Sequence, residues 1–520
     1  MILITSAAYI TPGLISEFGK MPPCMLPVQN RRLYFHQIKL LSPLKEDIYI
    51  SLPKDYKPSS HDLNQLSNLG AKLIYVPVSL SLGASVVYSL NMIARFGEPV
   101  RILHGDTLIG KIPLELMDAC AVAEAEDNYN WESVDKEESS DLVFSGYFSF
   151  SYQADLVRNI TENDFQFMEG VKAYCRKHNS KLFKVNSWLD FGIVNSYYRS
   201  KSKMTTERVF NDLKIDRFSV TKYSKDSHKI LAESHWLKSI PCDMKHYVPS
   251  VWREGINGDR GFYQIEYFYL SSLADIFVFG NNSSYVWKDI VKSCLQFLND
   301  ASKHIPDNTA DLAVQSVKLY GEKTRKRINV YARNIGLDLN REWRINGHQT
   351  PSLNVIIEDI SKEVDQPRKE FIGIMHGDFC FSNILYDFKS QSIKVLDPRG
   401  MDLDGNYSVY GDIRYDVGKL AHSIIGLYDY IIGGFFKCSS SSAYSLELSF
   451  PASQTVKEIQ ESFKKTIIAG HTLQDLSTYP IMVHLFLSML PLHGDHPERQ
   501  RAMLANALRL YVEYKKLQLQ

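Results

Sequence analysis

The 520-residue sequence predicts two architectures in series: a mostly parallel, Rossmann-like α/β sheet domain over residues 1–203 and an α+β segment over 204–520. Three observations lead there. Short apolar runs alternate with amphipathic helical stretches through the first part, the signature of a parallel sheet with helices on its faces. The polar segment RSKSKMTTERVFNDLKID, 199–216, interrupts that alternation and marks the boundary. Beyond it come shorter strands, and from Ser284 the periodicity is mostly helical, as in SYVWKDIVKSCLQFLNDASKH.

In chain order, MILITSA (1–7), DIYISLP (47–53), AKLIYVPVS (71–79), PVRILHGD (99–106) and SDLVFSGYFSF (140–150) read as strands. SHDLNQLSNLG (60–70) and ASVVYSLNMIARFG (84–97) read as helices between them. Ligands of such sheets collect beyond the carboxyl ends of the strands, so polar residues there matter most. Asp106 ends one apolar run and Asp190, in WLDFGIVNSYY, ends another. CSSSSAYS, 438–445, reads as a loop.

Composition narrows the function classes. Lys plus Arg (59) balances Asp plus Glu (59), so no overall field draws the chain to nucleic acid or an anionic membrane. The most basic stretch, CRKHNSKLFK (175–184), fits a solvated helix end. Seven scattered cysteines without a CxxC argue for a reducing compartment and against structural zinc. MILITSAAYI has no basic stretch before its apolar residues and reads as a buried first strand. No apolar run approaches the ~20 residues that span a bilayer. The expectation is a cytoplasmic protein with no nucleic-acid partner and no membrane insertion.

The chemistry concentrates in IMHGDFCFSNILYD, 374–387, followed by SIKVLDPRG, 392–400. The apolar run EFIGIM should deliver His376, Gly377 and Asp378 to a strand end, while NILYDF and SIKVLD look like a hairpin ending at Asp397. That brings Asp378, Asn383 and Asp397 to one edge. Phosphoryl transfer from ATP uses such a set: one carboxylate orients the acceptor hydroxyl and takes its proton, while an amide oxygen and a second carboxylate hold Mg²⁺. The competing reading makes Asp378 a turn cap and Asn383 a loop residue. PLHGDHPERQ, 491–500, repeats the HGD triplet without the matching asparagine or following strand, so the triplet alone decides nothing.

His376-Gly377-Asp378, Asn383 five positions on and then Asp397 together resemble the aminoglycoside phosphotransferase and choline kinase family, small-molecule relatives of the protein kinases. The resemblance implies a bilobal, protein-kinase-like α+β fold with an N-lobe at about 204–275 and a mainly helical C-lobe at about 276–520. It also implies ATP and Mg²⁺, with Asp378 as catalytic base and His376 as a second catalytic residue, and Asn383 and Asp397 as metal ligands. Upstream, RFSVTKYSKDSHKILAESHWLKSIP offers a strand with Lys222, Lys229 being the alternative, and a helix with Glu233. These match the pair that holds the α- and β-phosphates in that fold. GFYQIEYFYLSSLADIF is similar to the hinge strand, placing Glu266 and Tyr267 near adenine. Two departures stand out: no Gly-rich loop precedes Lys222, and the metal motif reads Asp397-Pro398-Arg399-Gly400. Asp412 and Asp416, in GDIRYDVGKLAHS, read either as helix capping and packing or as substrate contacts.

Asp106 and Asp190, with PPCMLPVQNRRLYFHQI near the start, resemble the sugar-phosphate and phosphocholine nucleotidyltransferases over about the first 200 residues. The resemblance implies that both aspartates hold Mg²⁺ for attack on CTP or another nucleoside triphosphate. The chain departs from the pattern at the phosphate loop. TSAAYITPGLISEFGKMPPCMLPV holds only Gly13 and Gly19, has no arginine before Arg31, and has Pro23 where a lysine is expected, leaving Lys20, Arg31 or Arg32 as the cations. Nucleotidyl transfer and simple binding of a phosphorylated ligand both fit.

Chains joining these two resemblances look like bacterial capsular or surface polysaccharide biosynthesis proteins, in which a small alcohol or sugar is phosphorylated and then activated as a nucleoside diphosphate derivative. The alternatives are a kinase with a degenerate N-terminal domain, and a non-catalytic regulatory protein keeping both folds. A choline-like acceptor would need an aromatic, acidic pocket.

Overall fold

The computed structural model describes residues 1–113, 115–124, 133, 142–204 and 211–519. The chain divides into two compact units, Met1–Met204 and Thr205–Gln520. Part of the predicted boundary, 205–210, lies outside the described residues, as do residues 140 and 141 of one strand run.

The first unit is built on a seven-stranded sheet. Its strands are β1 (Ile2–Thr5), β2 (Ile48–Pro53), β3 (Ala71–Val76), β4 (Val100–His104), β6 (Ala119–Glu124), β7 (Leu142–Phe150) and β8 (Lys181–Lys184), with β5 (Thr107–Ile109) pairing separately with β9 (Trp188–Asp190). The order is β8-β6-β7-β4-β1-β2-β3. Every pairing is parallel except those of β7, which runs against both neighbours. Ile2, Leu3 and Ile4 are wholly buried, which is why β1 reads as continuous apolar sequence without alternation. Leu3, Ile102, Phe148 and Phe150 pack with Leu156, Ile160, Val171 and Tyr174 from two helices in one core cluster. The chain proceeds from β1 to β2 and β3 on one side and returns to β4 on the other, so a topological switch point lies where β1 and β4 end. Asp106 follows β4 by two residues.

The second unit opens on an antiparallel sheet of β10 (Asn211–Ile215), β11 (Ser219–Ser224), β12 (Val251–Asn257) and β13 (Arg260–Glu266), in the order β10-β11-β13-β12. The helix Ser227–Ser239 follows β11 and starts at Asp226, whose carboxylate accepts from the Lys229 amide. From Ser284 long helices dominate, Ile413–Ile424 and Thr478–Met489 being buried throughout. Between the long helices, β14 (Trp343–Ile345) and the strands β15 (Ile372–Ile374), β16 (Ile384–Asp387) and β17 (Ser392–Val395) are inserted, with β18 (Tyr410–Asp412) pairing antiparallel to β15. The β16–β17 hairpin is the one the sequence indicates.

One expectation fails. The serine-rich segment 438–445 is not a loop: β19 (Lys437–Ser442) pairs antiparallel with β20 (Ser445–Ser449), which runs parallel to β14. The reason is tertiary. Leu446 and Leu448 alternate inward and are buried, and that anchors a serine strand whose own propensity is poor. Among the described residues no helix is long and apolar enough to cross a membrane.

Candidate active site

β15 delivers His376-Gly377-Asp378 to a tight turn. Gly377 sits at φ +80°, and a Cβ there would lie 2.6 Å from Cβ of Arg399, so the position requires glycine. The turn is held from below by Asp416, whose two carboxylate oxygens accept from the backbone N–H of His376 (2.6 Å) and Gly377 (2.8 Å). Burial pushes the Asp416 carboxyl up to about 7, against the pull of those two amides. His376, expected beside Asp378, is fully buried. Its Nδ1 accepts from the Asp378 amide at 3.2 Å and its ring meets Trp236 edge-on at 5.4 Å. Burial lowers its pKa to about 4, so it is neutral.

Asp378 itself is accessible, with 43% of its side chain exposed. Asn383 Nδ2 donates to Asp378 Oδ2 at 2.8 Å and to its carbonyl at 3.0 Å, and Lys419 Nζ lies 2.8 Å from Oδ1. Burial alone would raise this carboxyl, but Lys419 outweighs it and holds Asp378 well below the usual carboxylate range. Asn383 spends its amide nitrogen on Asp378, and its side-chain oxygen accepts from Ser382 Oγ at 3.4 Å. Its backbone carbonyl accepts from the Leu396 amide at 2.9 Å, which ties the loop to the strand end bearing Asp397.

Asp397 adopts φ +57°, a left-handed conformation that costs most non-glycine residues energy and that aspartate tolerates better than most. Its Oδ1 lies 3.1 Å from Lys222 Nζ, and the same ammonium lies 2.5 Å from Glu233 Oε2. Tyr263 donates to Glu233 at 3.1 Å. Lys222 and Glu233 are both buried. Burial opposes the Lys222 charge, but Asp397 and Glu233 hold its pKa above the ordinary lysine value. Lys222, rather than Lys229, therefore makes the predicted pair. Close packing completes the junction: a Cβ on Gly400 would lie 2.0 Å from the carbonyl oxygen of Ala232, on the helix that carries Glu233.

Glu266 and Tyr267 stand where β13 leaves the sheet. The Glu266 carboxylate accepts from the Ser250 amide at 3.1 Å, and the Tyr267 amide donates to Phe218 O at 2.8 Å. In the turn before β11, Asp216 accepts from the amides of Phe218 (2.8 Å) and Ser219 (2.7 Å).

Asp412 is a packing residue. It caps the helix Ile413–Ile424 and is buried against Arg414, whose Nη2 lies 2.7 Å from its Oδ2, while Tyr320 donates to it at 2.9 Å. Lys419 carries no signal of its own in the sequence. Only its spacing, three residues after Asp416 on one helical face, connects it to the turn.

In the first unit the two predicted aspartates come together. The Phe191 amide donates to Asp106 O at 2.8 Å, and Thr107 faces Asp190 across the β5–β9 pair. Gly192 separates the carboxylates: a Cβ there would lie 2.8 Å from Asp106 Oδ2 and 3.4 Å from Asp190 Oδ1. Ser196 Oγ donates to Asp190 Oδ2. Both line a cleft of about 490 Å³ at the carboxyl edge of the sheet, with His104, Ser145 and Gln166. Burial lowers the His104 pKa. Of the cations expected to serve a phosphate loop, Arg32 is buried and paired with Asp62 at 3.2 Å. Lys20 lies 3.4 Å from Asp55 and 4.0 Å above the Tyr9 ring, and Arg31 stacks over Phe35 at 5.0 Å.

No family model matches the chain, and no curated protein matches it. Similar solved structures are aminoglycoside phosphotransferases over the C-terminal part and nucleotidyltransferases over the N-terminal part. A thermostable mutant of aminoglycoside phosphotransferase APH(4)-Ia in its apo form is 10% identical, with a TM-score of 0.34, and the match covers 61% of this chain and 98% of that one. A ternary complex of a thermostable APH(4)-Ia mutant with AMP-PNP and hygromycin B is 10% identical, with a TM-score of 0.36, over 59% of this chain and 91% of that one. The inositol-1-phosphate CTP transferase from T. maritima is 14% identical, with a TM-score of 0.30, over 39% of this chain and 95% of that one. At these scores the likenesses carry no assignment of function.

Proposed function

We propose that residues 204–520 are an ATP- and Mg²⁺-dependent kinase for a hydroxyl of a small alcohol or sugar. Residues 1–203 then transfer a nucleotidyl group from CTP or another nucleoside triphosphate to the phosphorylated product, giving an activated precursor for surface or capsular polysaccharide. One observation carries the kinase reading: Glu233–Lys222–Asp397 and Lys419–Asp378–Asn383 form two short ionic chains joined through the Asn383–Leu396 backbone bond.

Each group then has a task. Asp378, kept ionised by Lys419 and oriented by Asn383, takes the proton of the acceptor hydroxyl as its oxygen bonds to the γ-phosphorus and the bond to the β–γ bridging oxygen breaks, leaving ADP. His376 and Asp416 are positioning residues that fix the turn. Lys222, set by Glu233, meets the α- and β-phosphates, and the end of β13 at Glu266 and Tyr267 borders the adenine. The Asn383 amide oxygen and the Asp397 carboxylate are hard oxygen donors that fit Mg²⁺, completed by phosphate oxygens. Among the described residues no group of three or more His, Cys, Asp or Glu side chains could hold a metal alone. Bound there, Mg²⁺ neutralises charge on the transferring phosphoryl group.

Convergence of Asp106 and Asp190 beside the switch point supports nucleotidyl transfer. The commitment of Arg32 to Asp62 and of Lys20 to Asp55 favours the rival in which this unit only binds a phosphorylated ligand. A panel of alcohols and sugars with ATP and each nucleoside triphosphate, reading ADP and pyrophosphate separately, tests all three readings. ADP without pyrophosphate supports the kinase-only chain, and neither product supports a non-catalytic protein.

A further inference from the structure

Beside the catalytic turn, two cations meet one phenol and a third stands on the same helix as one of them. Lys323 Nζ donates to the Tyr415 hydroxyl at 2.9 Å and Arg399 Nη2 at 3.4 Å, and both lie over the ring, 5.1 and 5.0 Å from its centre. Arg327, one turn beyond Lys323 on the helix Gly321–Ile335, donates to Ser488 O at 3.2 Å. Neighbouring cations have carboxylate partners: Arg325 with Asp365, Arg414 with Asp412 and Lys419 with Asp378. Among the described residues Lys323, Arg327 and Arg399 have none.

Three half-buried like charges without a direct ion pair are costly, with only Arg399 feeling the nearby Asp378 and Asp416 carboxylates, and the Lys323–Arg327 spacing of four residues on one helix adds repulsion. The excess shows in both neighbours. Burial and nearby cations push Lys323 down to about 8, and Lys323, Arg399 and Lys419 outweigh burial to pull the Tyr415 hydroxyl to about 7. Packing alone does not call for this, since one donor satisfies a buried phenol. The location gives the purpose. The Arg399 amide donates to His376 O at 2.7 Å, and Tyr415 directly precedes Asp416, which holds the turn, on the helix that also carries Lys419.

We propose that Lys323, Arg327 and Arg399 seat an anionic group of the phosphoryl acceptor, so that the substrate is a small alcohol also carrying a carboxylate or a phosphate, with its hydroxyl presented to Asp378. This rests on the kinase reading above. It separates the acceptor from a choline-like cation, which this surface repels.

The test uses the full chain saturated with Mg²⁺ and AMP-PNP, so that the nucleotide site is filled, and calorimetric titration with glycerate, glycerol 3-phosphate and glycerol. At least one anion binds about tenfold or more tighter than glycerol, and which anion binds distinguishes carboxylate from phosphate. Lys323→Gln and Arg399→Gln each weaken that anion about 10- to 100-fold, as loss of a charged hydrogen bond does, and the loss falls on the anion rather than on AMP-PNP. Arg327→Gln also weakens the anion and not AMP-PNP, so the result does not depend on the first two variants folding, and an Arg327→Gln chain that binds the anion unchanged counts against the seat. Glycerol binding as tightly as the anions, no anion binding while AMP-PNP binds, or variants that weaken AMP-PNP instead would overturn the inference and leave the kinase reading standing. Failure of AMP-PNP itself to bind removes both.

Discussion

Lys222 and Asp397, 175 residues apart in the chain, meet at 3.1 Å. Through this contact, and through Glu233 on the other side of the ammonium, a strand of the antiparallel sheet is tied to the end of the catalytic hairpin. Lys222 and Glu233 are buried, so removal of the lysine has a cost beyond activity.

Lys222→Met leaves the Glu233 carboxylate buried with Tyr263 as its remaining hydrogen-bond donor of the network. The expected loss is about 3–5 kcal/mol in urea unfolding of the second unit. Lys222→Met combined with Glu233→Leu recovers most of that stability without recovering ATP turnover, because an apolar pair replaces a buried ion pair at little cost. Equal stability of the single and double variants would contradict the burial argument.

Lys419 sets the ionisation of Asp378. In the native chain Asp378 stays charged well below the usual carboxylate range, so as the proposed base it remains ionised through mildly acidic pH. Lys419→Met removes the strongest opponent of burial, leaving His376 and Arg399, and the acid limb of the pH profile of kcat/KM for ADP formation moves to higher pH. An acid limb that stays in place would show that Asp378 is not the base.

Asp416 gives a pH effect of opposite sign on stability. Its folded pKa of about 7 lies above the unfolded value near 4. The folded chain therefore holds the proton more tightly, and this group's contribution is fully present below about pH 4 and is lost as pH rises through about 7, by up to about 4 kcal/mol. Unfolding free energies of the native chain and Asp416→Asn, compared at pH 4.5 and 7.5, should converge or cross in that direction. A constant difference between them would contradict it.

Much of this was legible in sequence because local pattern and chemistry agreed. The β16–β17 hairpin, the strand bearing Lys222 and the strand-end aspartates of the first unit each follow an apolar run with a polar terminus. What was not legible depended on which helix face meets which loop. Lys419 and Asp416 share a face of Ile413–Ile424, but nothing in that segment says that the face supports Asp378. The Arg399–Tyr415–Lys323 cluster draws on three distant segments. The HGD motif points to a reactive His376 beside Asp378, yet its ring turns inward against Trp236, an orientation decided by packing. The serine strand 437–442 was hidden because its stability comes from Leu446 and Leu448 on its partner.

The first unit makes its own prediction. Asp106→Asn or Asp190→Asn lowers pyrophosphate release from the productive nucleoside triphosphate by at least about a hundredfold, with ADP formation as the internal control. Pyrophosphate release that survives both substitutions would remove the nucleotidyl-transfer assignment.

The most direct measurement is ADP formation from ATP and Mg²⁺ across an acceptor panel that includes hydroxy acids, by the native chain and by Asp378→Asn. Acceptor-dependent ADP from the native chain, falling by about a hundredfold or more in the variant, is the predicted result. Acceptor-dependent ADP formation that is undiminished in Asp378→Asn would contradict the account.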